Sequence, residues 1–184
     1  MVSKATQATS ARRRSTKIRA GDVFEIPAPD GRRGYGQVIV AGALLYVAIF
    51  RDLYAEPPRL SDLLEEDFLL VGWTLDALIH HGEWRIVGHV SPIAARVPFP
   101  SYKVRVKGVP QVHDFTEKYH RRATAEEWEL LENKTTVAPI RYQNALLAHH
   151  GFGEWRSDYE SLTVEHARRR VLIVGNETDD QPKH

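Results

Sequence analysis

Hydrophobic and polar positions first alternate from Asp22 onward, where Val23, Phe24 and Ile26 form a short strand pattern that ends at Pro27 and Pro29. Asp30-Gly31 supplies a turn, and the second arm runs from Tyr35 to Val40 before Ala41-Gly42 turns the chain again. The apolar run "ALLYVAIFRD" then predicts a strand covered on both faces or lying at the centre of a curled sheet, so three antiparallel strands follow one another. In "EPPRLSDLLEEDFLLVGW" the period changes. Leu60, Leu63 and Leu64 make the apolar side of a short helix that Ser61 can cap, and Phe68 to Val71 return to strand. In "TLDALIHHG", Leu75, Leu78 and Ile79 stand at helical spacing with Thr74 as a cap, and His80, His81 and Gly82 close the helix. Trp84, Ile86 and Val87 open the next strand, and Trp84 is read as structurally important.

Further on, Pro98, Pro100 and Pro110 surround an alternating "YKVRV", the signature of an edge strand between loops. The period becomes helical at "ATAEEWELLENK", where Thr124 and Glu127 have capping-box spacing. In "APIRYQNALLAHHG", Pro139 sits in the first turn and Gly151 just past the end. For the apolar end of "TVEHARRRVLIV", helix and strand both fit. The pattern predicts an α+β fold: an N-terminal curled antiparallel sheet or small SH3-like β-barrel with short inserted helices, followed by a C-terminal helical extension. It divides the chain into a disordered basic leader (1–20), a mainly β domain (21–116), a helical extension packed on it (117–175) and a polar tail (176–184).

Composition narrows the function classes. A chain of 184 residues is enough for one domain. With no cysteine, disulfides, zinc fingers and thiolate nucleophiles are excluded, and a reducing compartment is permitted. The longest apolar run, "QVIVAGALLYVAIF", is about fourteen residues and carries a glycine, too short for a spanning helix. No apolar stretch follows the basic N-terminus, so the expected location is cytoplasmic and no membrane partner is expected. The net charge of +1 conceals a division. Residues 1–20 hold six basic side chains and no acid, which leaves 19 basic against 24 acidic residues in the rest. Within that acidic body, Asp62, Glu65, Glu66 and Asp67 form a compact cluster, read either as a solvated helix face or as a docking surface for a basic partner.

The side chains that could carry catalysis do not assemble into a recognisable constellation. Adjacent histidines on a helix point about 100° apart, so His80-His81 and His149-His150 are poor chelates, and no metal or other cofactor is expected. There is no Gly-x-Ser-x-Gly elbow and no phosphate loop. "GRRGYG" lies between strands, where a dinucleotide fingerprint does not function, and reads as a glycine-assisted hairpin with a twist or bulge at Gly34 or Gly36. No catalytic residue and no small-molecule substrate are expected.

The segments "GDVFEIPAPDGRRGYGQVI" (Gly21 to Ile39), "PRLSDLLEEDFLL" and "GEWRIVGHV" (Gly82 to Val90), in that order, resemble the immunity protein 26 family of bacterial polymorphic toxin systems. The resemblance implies a small, mostly β protein that neutralises a cognate protein toxin by binding it, without catalysis. A basic toxin, such as a nuclease, would be steered to the cluster Asp62, Glu65, Glu66 and Asp67, with Tyr54 or Trp73 as aromatic anchors. A competing reading makes the strands an SH3-like barrel that binds nucleic acid with the help of the Arg-rich arm.

Overall fold

The computed structural model describes residues 17–172 and residue 174. Residues 1–16 of the expected leader and the expected tail at 176–184 lie outside the described residues.

Strands β1 (Asp22–Pro27), β2 (Arg33–Ala41) and β3 (Leu45–Phe50) form the predicted antiparallel row. A loop and the short helix α1 (Leu60–Leu63) lead to β4 (Phe68–Thr74), which pairs antiparallel with β3. After α2 (Ala77–His81), β5 (Arg85–His89) adds to the outer side of β1. A second sheet is built by β6 (Tyr102–Val106), β7 (Val109–His113) and β8 (His120–Arg122), and α3 (Ala125–Leu130) follows it. The two-residue β9 (Thr136–Val137) joins β4 in parallel and completes a six-stranded sheet in the order β5-β1-β2-β3-β4-β9. The chain then enters α4 (Pro139–His149), a 3-10 segment at Ser157–Leu162 and α5 (Val164–Arg168).

Every residue of β3 is buried, as its unbroken apolar run predicts, because the large sheet is covered on both faces. On one face, Phe24, Ile26, Val38, Val47, Ile49 and Leu70 share a core with Tyr142, Ala145 and Leu146 of α4. On the other, Val23, Tyr35, Tyr46, Phe50 and Val71 pack with Leu63, Val97, Val164 and Ala167. Trp84 stacks on Phe24 with ring centroids 4.8 Å apart and planes 4° from parallel, while its Nε1 donates to Gln143 Oε1 at 2.9 Å. Full burial of a side chain of this kind stabilises the fold by roughly 1.5–3 kcal/mol, and the hydrogen bond prevents the indole N–H from offsetting that gain.

Buried polar groups tie the elements together. The Gln37 amide, fully buried in β2, donates to the carbonyls of Val90 and Ser91 at 3.3 and 3.4 Å and accepts from Ile93 N at 3.1 Å. Asp22 accepts from Arg19 N at 2.8 Å and lies 2.8 Å from His89 Nδ1, which fastens β1 to β5. The second sheet is anchored by Phe115, whose ring packs on Tyr46, Trp73 and Phe99.

Four expectations are corrected. The sheet stays open, ending at β5 and β9, so of the two expected forms the barrel does not occur. Thr74 does not cap α2. It ends β4, fully buried, with Oγ1 donating to the Val137 carbonyl at 2.8 Å, and Asp76 stands at the cap position. Ser61 lies inside α1, bonded to Asp62, and Arg59 precedes the helix. The bulge falls between Val38 and Val40 rather than at Gly34 or Gly36. Those glycines meet a different need: a Cβ at Gly34 would lie 2.4 Å from Leu146 Cδ2, and one at Gly36 would lie 2.5 Å from Phe24 Cζ.

Candidate functional site

The acidic cluster occupies α1 and the turn into β4, beyond the Phe50 end of β3. Leu63 is buried under the sheet and holds the helix down, while Asp62, Glu65 and Asp67 are exposed and Glu66 is half-buried. The turn is shaped from outside by Arg96. Its guanidinium donates to the Leu64 and Glu66 carbonyls, the latter at 2.9 Å, lies 3.6 Å from the Asp67 carboxylate, and sits over the Phe68 ring at 5.8 Å. A cation at the carbonyl end of a helix is favoured electrostatically and satisfies orphan acceptors. Because Arg96 takes mainly backbone oxygens, Asp62, Glu65 and Glu66 have no ion-pair partner among the described residues.

Tyr54 belongs to the same surface. Its backbone exchanges two 2.9 Å hydrogen bonds with Arg33, and its ring stands edge-on to Tyr35 at 5.8 Å. Burial, reinforced by the negative charges of Glu66 and Asp52, pushes its hydroxyl up to about 12, so it is a neutral donor at physiological pH. The structure thus brings together Tyr54, Glu66 and Asp52, with Asp62, Glu65 and Asp67 along the rim. Between residues 52 and 67 six acids accompany the single cation Arg59.

Trp73 is placed elsewhere. It lies at the opposite end of β4, paired with Tyr46, stacked on Phe115 at 5.1 Å and overlain by Lys134 at 4.5 Å, with Nε1 donating to Tyr102 Oη at 2.6 Å. Sequence reasoning missed Asp52 and Arg96. The first was legible beside Tyr54, whereas Arg96 acts on carbonyls about thirty residues earlier and leaves no local signal.

The histidine pairs end their helices as predicted, with Gly82 and Gly151 at φ 80° and 84°. His150 Nε2 lies 2.7 Å from the Arg51 carbonyl, and the His149 ring faces Trp155. Burial, then the neighbouring His150 and Arg51, lowers the pKa of His149. Among the described residues no three His, Asp or Glu side chains converge in a metal-binding arrangement, and no helix is long and apolar enough to cross a membrane.

Residues 19–107 match the family described as Immunity protein 26. The matched stretch contains β1 to β6 together with the whole acidic rim and its Arg96 clamp. Over this segment the chain is similar to the immunity protein 26 family. Neither the curated proteins nor the solved structures give a match to the chain.

Proposed function

We propose that this chain is a toxin-neutralising immunity protein, acting in the cytoplasm without catalysis, that occludes a cognate toxin through the rim formed by Asp62, Glu65, Glu66, Asp67 and Tyr54. The family match over residues 19–107 carries the reading. The rim's geometry supports its location, because Arg96 fixes the backbone while three carboxylates remain available to a basic surface, such as that of a nuclease. Tyr54, a neutral donor with part of its ring exposed, suits the aromatic anchor that such interfaces favour. Trp73 is held by Phe115, Tyr102 and Lys134, so it lies outside the proposed contact.

The partner to test is a protein toxin sought among the products of the genes adjoining this chain's own. The triple substitution Asp62→Lys, Glu65→Lys and Glu66→Lys should weaken its binding by roughly 100-fold at low ionic strength, chiefly through slower association. Added salt should narrow the difference. Affinity unchanged by the substitution at low salt would exclude the rim as the contact.

A further inference from the structure

At the far end of β4 from the acidic rim, Tyr46, Tyr102 and Tyr142 line a cavity of about 50 Å³ together with Arg170. Two phenols are committed. Tyr46 Oη donates to the Pro98 carbonyl at 2.7 Å, and Tyr142 Oη donates to the Trp73 carbonyl at 3.3 Å. Tyr102 differs. Its oxygen accepts from Trp73 Nε1 at 2.6 Å, and its own proton meets no acceptor among the described residues. Space for the cluster depends on Gly72, where a Cβ would stand 2.2 Å from Tyr142 Oη.

Arg170 supplies the second uncommitted donor. Its side chain is only 9% exposed, with Nη1 donating to Glu132 Oε2 at 2.7 Å and Nε reaching the His166 carbonyl at 3.4 Å. Nη2 makes no hydrogen bond within the described residues. The Arg170 charge partly opposes the burial that raises the pKa of both Tyr46 and Tyr102, as a guanidinium near their hydroxyls must. Glu132, the one carboxylate on this wall, is already engaged: Oε2 accepts from Arg170, and Oε1 lies 3.0 Å from His166 Nε2. The cavity therefore presents the free edge of a largely buried guanidinium and a phenolic O–H, both donors, and its one carboxylate is already engaged.

We propose that this cavity binds a small oxyanion, a carboxylate or phosphate group, gripped by Arg170 Nη2 and Tyr102 Oη. A planar guanidinium edge suits an oxygen pair on either group, and burial strengthens the bond. At about 10–15 Å³ per water-sized probe, the volume accepts a group with three or four oxygens. Gly72, Trp73 and Tyr102 come from the family-matched segment, whereas Glu132 and Arg170 follow it. The bound anion would therefore fasten the two segments together and stabilise the folded chain by mass action. The site is separate from the acidic rim, and its occupancy does not depend on the rim's partner.

The test is a titration of the full chain with sodium phosphate and with sodium acetate, using sodium chloride at equal ionic strength as reference. The indole N–H resonances are followed by ¹H–¹⁵N NMR, with Trp73 assigned from Trp73→Phe. The expected result is a saturable shift of the Trp73 signal in phosphate, acetate or both, with the Trp84 and Trp155 signals still. Response to one salt alone identifies the chemical source. Arg170→Gln should weaken binding by at least about tenfold, and Tyr102→Phe, which keeps the ring, by roughly fivefold. If Arg170→Gln does not fold, Tyr102→Phe decides. A shift that does not saturate, that chloride reproduces, or that persists undiminished in Tyr102→Phe overturns the proposal.

Discussion

A single hydrogen in place of a methyl group at residue 72 lets Tyr142 cross β4 and bond to the Trp73 carbonyl. Gly72→Ala should therefore destabilise the chain by about 1–3 kcal/mol, measured by chemical denaturation. Adding Tyr142→Phe, which removes the clashing oxygen, should recover part of that loss. If Gly72→Ala changes stability by less than about 0.5 kcal/mol, the close approach is not structurally limiting. At this scale the sequence was legible where a residue's demands are local. Trp84, read as structurally important where a strand follows a helix-stopping glycine, is fully buried. Gly34 and Gly36 were not legible, because the groups that forbid a Cβ there, Leu146 and Phe24, arrive from a distant helix and a neighbouring strand. Trp73 likewise resembled a surface aromatic until Phe115 and Lys134, from outside its own strand, came to rest on it.

Among the elements, α3 was the most fully encoded. Thr124 accepts from Glu127 N at 3.2 Å, Glu127 Oε2 accepts from Thr124 N at 2.9 Å, and the same carboxylate binds Arg121 at 2.6 and 2.8 Å. The Arg121 guanidinium, followed by the Thr124 backbone amide, holds the Glu127 carboxyl at about 2, below its ordinary 4.5. A lowered folded-state pKa stabilises the protein above the ordinary value, and that contribution disappears as pH falls from 4.5 towards about 2. The stability difference between the native chain and Glu127→Gln should accordingly be largest near neutrality and shrink across that interval. Urea unfolding at neutral pH and at about pH 2–3 measures it, and a pH-independent difference would refute the capping role. The ends of α1 and α2 were less legible than α3. Thr74 has the chemistry of a cap, but β9 offers it the Val137 carbonyl, and this long-range bond extends β4 past the predicted end.

For the whole molecule, the α+β class and the antiparallel row were present in the periodicity, since both rest on neighbouring residues. The cover of the sheet was not, because α4 reaches strands more than a hundred positions earlier and periodicity does not name a helix's target. A chain ended after residue 107 would keep the family-matched segment yet lose Tyr142, Ala145, Leu146, Tyr159 and Leu162 from one core and Val164 and Ala167 from the other. It should lack a cooperative thermal transition and bind a hydrophobic dye. A sharp transition at the full chain's temperature would show instead that the matched segment is self-sufficient. The Arg96 clamp has a consequence of another kind. Leu64 and Glu66 offer it oxygens that any amino acid at those positions would also offer, so the loop's course owes little to the acids it displays. Mutation can rewrite those side chains while the scaffold beneath them persists, so under the proposed function a lineage pressed by a changing adversary would alter whom it recognises without having to learn again how to fold.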